Sequence, residues 1–154
     1  MTTLLHLACM TAADEGRSSR VVALAGPETL RLESGELVRL AGVHVPPDQA
    51  LAAEQALQAE LDHGSPVPPS ASGGPFDRYG RRLVLGQADG GPDLAALLVG
   101  RGLALVRPEA GIDRSFRRLL MLEERARRGG LGLWGGATSP LAQARSADAL
   151  LGRY

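Results

Sequence analysis

A small α+β barrel is the fold class this sequence predicts, and three observations carry it. Short β-rich runs occur at Arg20–Leu24 and twice within "LRLESGELVRLAGV", which gives a three-strand meander. A helical stretch follows the third strand directly, and two more helices lie near the end of the chain. Five short strands with three helices in that order point to an OB-type barrel.

The elements follow from local chemistry. "AGPET" ends the first strand in a turn, and Ser34-Gly35 is hairpin chemistry between the next two. The third strand is read through "VRLAGV" and stops at Pro46-Pro47-Asp48, which also suits a helix start. That helix runs from Asp48 to about Asp62, with Ala52, Ala56, Leu57, Ala59 and Leu61 mostly on one side, and Gly64 stops it. "GSPVPPSASGGP" is a loop or a degraded edge strand, because its prolines cannot donate to a ladder. "RRLVLGQA" resumes as a strand, turned by Asp89-Gly90-Gly91. A helix follows from Pro92 to Arg101, with Gly102 at its C-terminal end. "LALVRP" is the last strand, and Asp113 caps a helix over Arg114–Arg128 that Gly129-Gly130 ends. The domain so defined spans 20–136, between an N-terminal segment, 1–19, and a tail, 137–154, with a short helical stretch at its end.

A chain of 154 residues suits one domain with a real core. Apolar residues make up 44 % and aromatics only 3 %, so Leu, Val and Ala must build that core. All 17 basic residues are arginine, a bias that high genomic GC content also produces. Net charge is zero, so an anion site must be a local arrangement and not a global field. The lone Cys9 excludes an internal disulfide, and no apolar run is long enough to span a membrane. "MTTLLHLACMTAADEG" reads either as the remnant of an export signal or as a plain disordered N-terminus. The first implies a periplasmic or secreted protein, the second a cytoplasmic one.

Four stretches in order, "VVALAGPETLRLESGELVRLAGVHVPP", "FDRYGRRL", "LAALLVGRGLALVRP" and "LEERARRGGLGLW", resemble the staphylococcal-nuclease (thermonuclease-like) family. The resemblance covers about Arg20 to Trp134 and implies an OB barrel with three helices. It also implies a phosphodiesterase using Ca²⁺ held by acidic residues, a glutamate base and two arginines on the phosphoryl oxygens. Such chemistry needs positive charge at the equatorial oxygens and a base for water. Arginine suits the first task, since its planar fork binds two oxygens at once.

Carried over by position, Arg39 in "VRLAGV" and Arg81 in "DRYGRR" match the two arginines. Tyr79 matches an aromatic lining the nucleotide pocket, and Asp77 the acid just before it. The metal and base positions depart from the pattern. Asp-Gly-Asp-Thr becomes Gly26-Pro27-Glu28-Thr29, so the metal aspartate is replaced by Glu28. Asp-x-Pro-Glu becomes His44-Val45-Pro46-Pro47, which puts His44 at a ligand position and Pro47 at the base. Imidazole is a poor exchange for a carboxylate at Ca²⁺, and proline takes no proton. Asp48 is the nearest remaining acid.

Three expectations follow from the resemblance and its departures. The first is a domain impaired in Ca²⁺-dependent cleavage that keeps a phosphate-binding, nucleic-acid-binding or scaffolding role. Its ligand would be single-stranded nucleic acid or a nucleotide, and its expected state a monomer. The second is a working metal-dependent nuclease, a hydrolase of phosphodiester bonds. There Glu28 and Asp48 serve as metal ligands or base, with His44 a further candidate metal ligand, and Arg39 and Arg81 as the phosphate clamp. The third is an interaction module whose Arg39 and Arg81 are tied up by internal carboxylates such as Asp77.

Overall fold

Apolar residues at two-residue spacing pair as a meander in the computed structural model, which describes residues 20–62, 76–84, 93–108 and 113–136. Strands β1 (Val21–Gly26), β2 (Thr29–Leu32) and β3 (Leu37–Leu40) pair antiparallel in turn. Pro27 and Glu28 form the two-residue connection between β1 and β2. Between β2 and β3, Gly35 takes a φ of +86°, open to glycine at no steric cost, and its N–H donates to the Leu32 carbonyl. Register irregularities at two places bend β1 along β2.

The third strand is shorter than the apolar pattern of "VRLAGV" predicts. Gly42 takes a φ of +77°, which turns the chain out of β3. Val43–His44 then become β4, which pairs with β6 (Leu105–Val106) in a separate two-stranded sheet. The predicted helix start at Asp48 is also corrected. Pro47–Gln49 form a 3-10 turn, and α1 begins at Ala50 and runs to Asp62. Its buried face is Ala53, Ala56 and Leu57, an i, i+3, i+4 stripe, while Ala52 and Ala59 lie outward.

β5 (Arg82–Val84) returns parallel to β3, so the main sheet runs β1-β2-β3-β5. A parallel return needs a long crossover, and α1 lies within it. The described chain is thus mixed α+β, with a mixed sheet of four strands and three α-helices. The loop or edge strand expected in "GSPVPPSASGGP", the turn at Asp89-Gly90-Gly91 and the segments 1–19 and 137–154 lie outside the described residues. No helix among those described is long and apolar enough to cross a membrane.

Leu30, Val38, Leu40 and Val43 from the strands meet Leu57, Leu98 and Leu119 from the helices in one core, as the scarcity of aromatics requires. Helices α2 (Leu94–Gly100) and α3 (Asp113–Arg128) close it. Asp93 caps α2 by accepting from the Ala96 N–H at 3.0 Å, and Arg118 of α3 donates to the same carboxylate at 3.0 Å. After α3 the chain doubles back, and the Leu133 N–H donates to the Gly102 carbonyl at 2.8 Å. Gly102 has a φ of +71°, and a Cβ there would collide with the Leu131 carbonyl.

Gly102→Ala therefore meets both strain and collision. Thermal unfolding should show a loss of more than about 1 kcal/mol. An unchanged melting temperature would mean that the 131–134 segment does not sit against the end of α2.

Candidate functional site

Strand register sets the site. Thr29 of β2 lies directly across from Arg39 of β3, and cross-strand partners project on the same face. Val38 and Leu40 fill one face of β3, and Arg39, only 4 % exposed, is buried on the other. A buried guanidinium needs partners. Nε of Arg39 donates to Glu28 Oε2 at 2.9 Å, and its NH2 donates to the Val43 carbonyl at 2.8 Å.

Glu28 is held from several directions. Its backbone carbonyl accepts from the Leu40 N–H at 2.9 Å. Its Oε1 accepts from the Val45 N–H at 2.6 Å and lies 3.0 Å from His44 Nδ1. Both carboxylate oxygens are therefore engaged within the protein. The β4–β6 pairing fixes His44, whose side chain is 51 % exposed. Arg39, Glu28 and His44 thus form one continuous line from the interior to the surface.

Arg81 reaches the same face by another route. Its NH1 donates to Thr29 Oγ1 at 2.9 Å, the hydroxyl opposite Arg39. The "DRYGR" loop that presents it is a tight turn closed by Asp77. Oδ1 of Asp77 accepts from the backbone N–H groups of Tyr79 and Arg81, each at 2.9 Å, and Oδ2 accepts from Arg81 Nε at 2.7 Å. Gly80, at a φ of +74°, completes the turn. Burial works against the Asp77 charge. The Arg81 and Tyr79 N–H bonds and the guanidinium outweigh it, and hold the carboxyl below its ordinary 3.8. Tyr79 is 67 % exposed, with the Arg78 and Arg81 guanidinium carbons 4.7 Å and 5.4 Å from its ring centre.

The structure therefore joins Arg39, Glu28 and His44 in one line and brings Arg81 to Thr29, across the strands from Arg39, with Tyr79 exposed on the Arg81 loop. Asp48 lies exposed in the 3-10 turn and accepts from its neighbour Gln49 at 3.3 Å. Among the described residues no group of three His, Cys, Asp or Glu side chains converges as a metal site requires. Thr29 is the site residue that sequence reading missed. Its signal was present, since pairing β2 with β3 around Ser34-Gly35 puts a hydroxyl opposite Arg39. No protein-family model matches this chain, and no curated protein matches it either.

Removing Glu28 leaves Arg39 charged and buried. Glu28→Ala should cost about 3 kcal/mol in a denaturant melt, and adding Arg39→Met should recover part of that loss. An additive double variant would rule out the pair as a unit. Asp77 gives a pH-dependent outcome. Its folded value lies below its unfolded one, so its stabilisation is full above about pH 5 and fades as the carboxylate protonates below pH 4. Asp77→Asn should lose about 1–3 kcal/mol at pH 7 and less at pH 3, measured by denaturant unfolding at both.

Proposed function

We propose that this chain is a thermonuclease-like domain that binds phosphate through Arg81 without Ca²⁺-dependent cleavage. The observation that carries this reading is the convergence of Arg81 and Arg39 on Thr29, with the Glu28 carboxylate already taken by internal N–H groups. Arg81 has partners at Nε, NH1 and NH2, yet each terminal nitrogen of a guanidinium carries two hydrogens. Among the described residues one N–H on each is left for phosphoryl oxygens, and a side chain 29 % exposed can offer them. Tyr79 then gives an exposed ring on which a base can stack.

The fold reading is an OB-type barrel. A meander with a bent first strand and a parallel return beside the third supports it, leaving β1 and β5 as the sheet's edges among the described residues.

Ca²⁺ chemistry fits these residues poorly. The carboxylate at the first metal position neutralises Arg39, an imidazole stands at the second and a proline at the base. The working-nuclease reading needs Glu28 and Asp48 to share an ion, yet Glu28 accepts from Arg39 and Val45, and Asp48 from Gln49. A specific observation favours a second reading, a scaffold without ligand. Arg39 pairs with Glu28 and Arg81 with Asp77, so both arginines carry an internal counter-charge.

Thermal shift separates the two. A nucleoside 3′,5′-bisphosphate at 100 times its dissociation constant should add about 2.7 kcal/mol of stability. The gain should appear equally with Ca²⁺ or chelator, and be absent in Arg81→Ala. No shift in the parent protein leaves the scaffold reading; a shift that requires Ca²⁺ overturns the proposal.

A further inference from the structure

We propose a second chemistry for this site: His44 is a general base that cleaves RNA by transesterification, with Glu28 as its positioning residue. The inference rests on Arg81 as the phosphate ligand, and on the geometry of the histidine. Nδ1 of His44 lies 3.0 Å from Glu28 Oε1. An ionised carboxylate only accepts, so the neutral ring must carry its proton on Nδ1. That leaves the lone pair on Nε2. Among the described residues no partner takes Nε2, and the side chain is 51 % exposed. A carboxylate on Nδ1 fixes both the tautomer and the orientation of the ring. Glu28 is itself immobilised by Arg39 and by the Val45 N–H, so the dyad stands on the end of β4 and on a pinned turn and not on a free loop.

The substrate class follows from what the site has and lacks. It presents a base and a phosphate-binding arginine, while its one central carboxylate already accepts from N–H groups. A nucleophile that belongs to the substrate suits such a site, because an intramolecular attack needs no separately bound water. The ribose 2′-hydroxyl is that nucleophile, and DNA has none. In the step, Nε2 takes the 2′-hydroxyl proton and the 2′ oxygen bonds to phosphorus. The bond from phosphorus to the 5′ oxygen of the next nucleotide breaks. That oxygen takes a proton from water, and the hydroxide left behind takes the proton held on His44. The products are a 2′,3′-cyclic phosphate and a free 5′-hydroxyl, with no water consumed. Arg81 faces the phosphoryl oxygens as charge builds on them.

The test incubates the full chain with a single-stranded RNA oligonucleotide and the DNA of the same sequence, both in excess chelator. RNA should be cut to 2′,3′-cyclic ends while DNA stays intact. His44→Gln, at an exposed position, should fold normally by circular dichroism and lose 100-fold or more of the rate, about the low end for a general base. His44→Gly should regain cleavage with added imidazole. Glu28→Gln, whose amide oxygen can still accept from the His44 Nδ1–H, should keep more of the rate per folded molecule than Glu28→Ala, a difference that loss of folded protein alone does not produce. RNA binding without any cutting, or cutting that survives His44→Gln, overturns this inference and leaves phosphate binding standing. Absence of binding to RNA and bisphosphate alike removes the phosphate reading as well.

Discussion

A single carboxylate, that of Glu28, joins parts of the chain that backbone pairing leaves separate. It sits in the β1–β2 connection, takes the guanidinium of Arg39 on β3, and takes the N–H of Val45 just beyond β4. β4 belongs to the two-stranded sheet, so this contact ties the two sheets together at one corner. Arg39 reinforces the tie through the Val43 carbonyl. Such a buried ion pair contributes less net stability than its Coulomb attraction suggests, because both ions lose water. Its stronger effect is on specificity. Any arrangement that separates the corner leaves a buried charge alone, so one packing of the sheets is favoured over its near neighbours.

The same economy governs the electrostatics. A chain of zero net charge collects no anions at a distance, so whatever selectivity it has comes from short-range contacts. Each arginine near Thr29 has a carboxylate of its own, Glu28 for Arg39 and Asp77 for Arg81. The two differ in access. Arg39 is enclosed and structural in effect, whereas Arg81 is partly open and rigidly aimed by its loop. A site of this kind presents a directed donor set at little entropic cost on binding, since the Arg81 rotamer is already fixed.

Much of this was legible in the sequence, and the failures have physical causes. The meander was readable because Ser34-Gly35 breaks an alternating run at a turn. "VRLAGV" was overread as one strand because alternation says nothing about backbone sign; the φ of Gly42 turns the chain there. The α1 face was misassigned because alanine suits either side of a helix, and only Leu57 marks the core firmly. The two-residue period sets Arg39 opposite Val38 and Leu40, but period alone cannot say that both faces of β3 are covered. The junction at Thr29 was missed because a threonine in a strand reads as β-propensity before it reads as a hydroxyl. Asp77 was legible, since "DxYGR" puts an acid where a tight turn has N–H groups to satisfy.

The contact between Gly102 and the 131–134 segment bears on how the chain is completed during synthesis. Leu98 and Val99, buried at the end of α2, are translated about thirty residues before the segment that comes to rest on the turn after that helix. A growing chain meets its partners in the order they emerge, and the meander and α1 can associate early. The Gly102 carbonyl, in the turn after α2, has no Leu133 N–H to accept until that residue leaves the ribosome. Until then that carbonyl is left to water, and one of the last stretches of the domain to be made is what closes the turn.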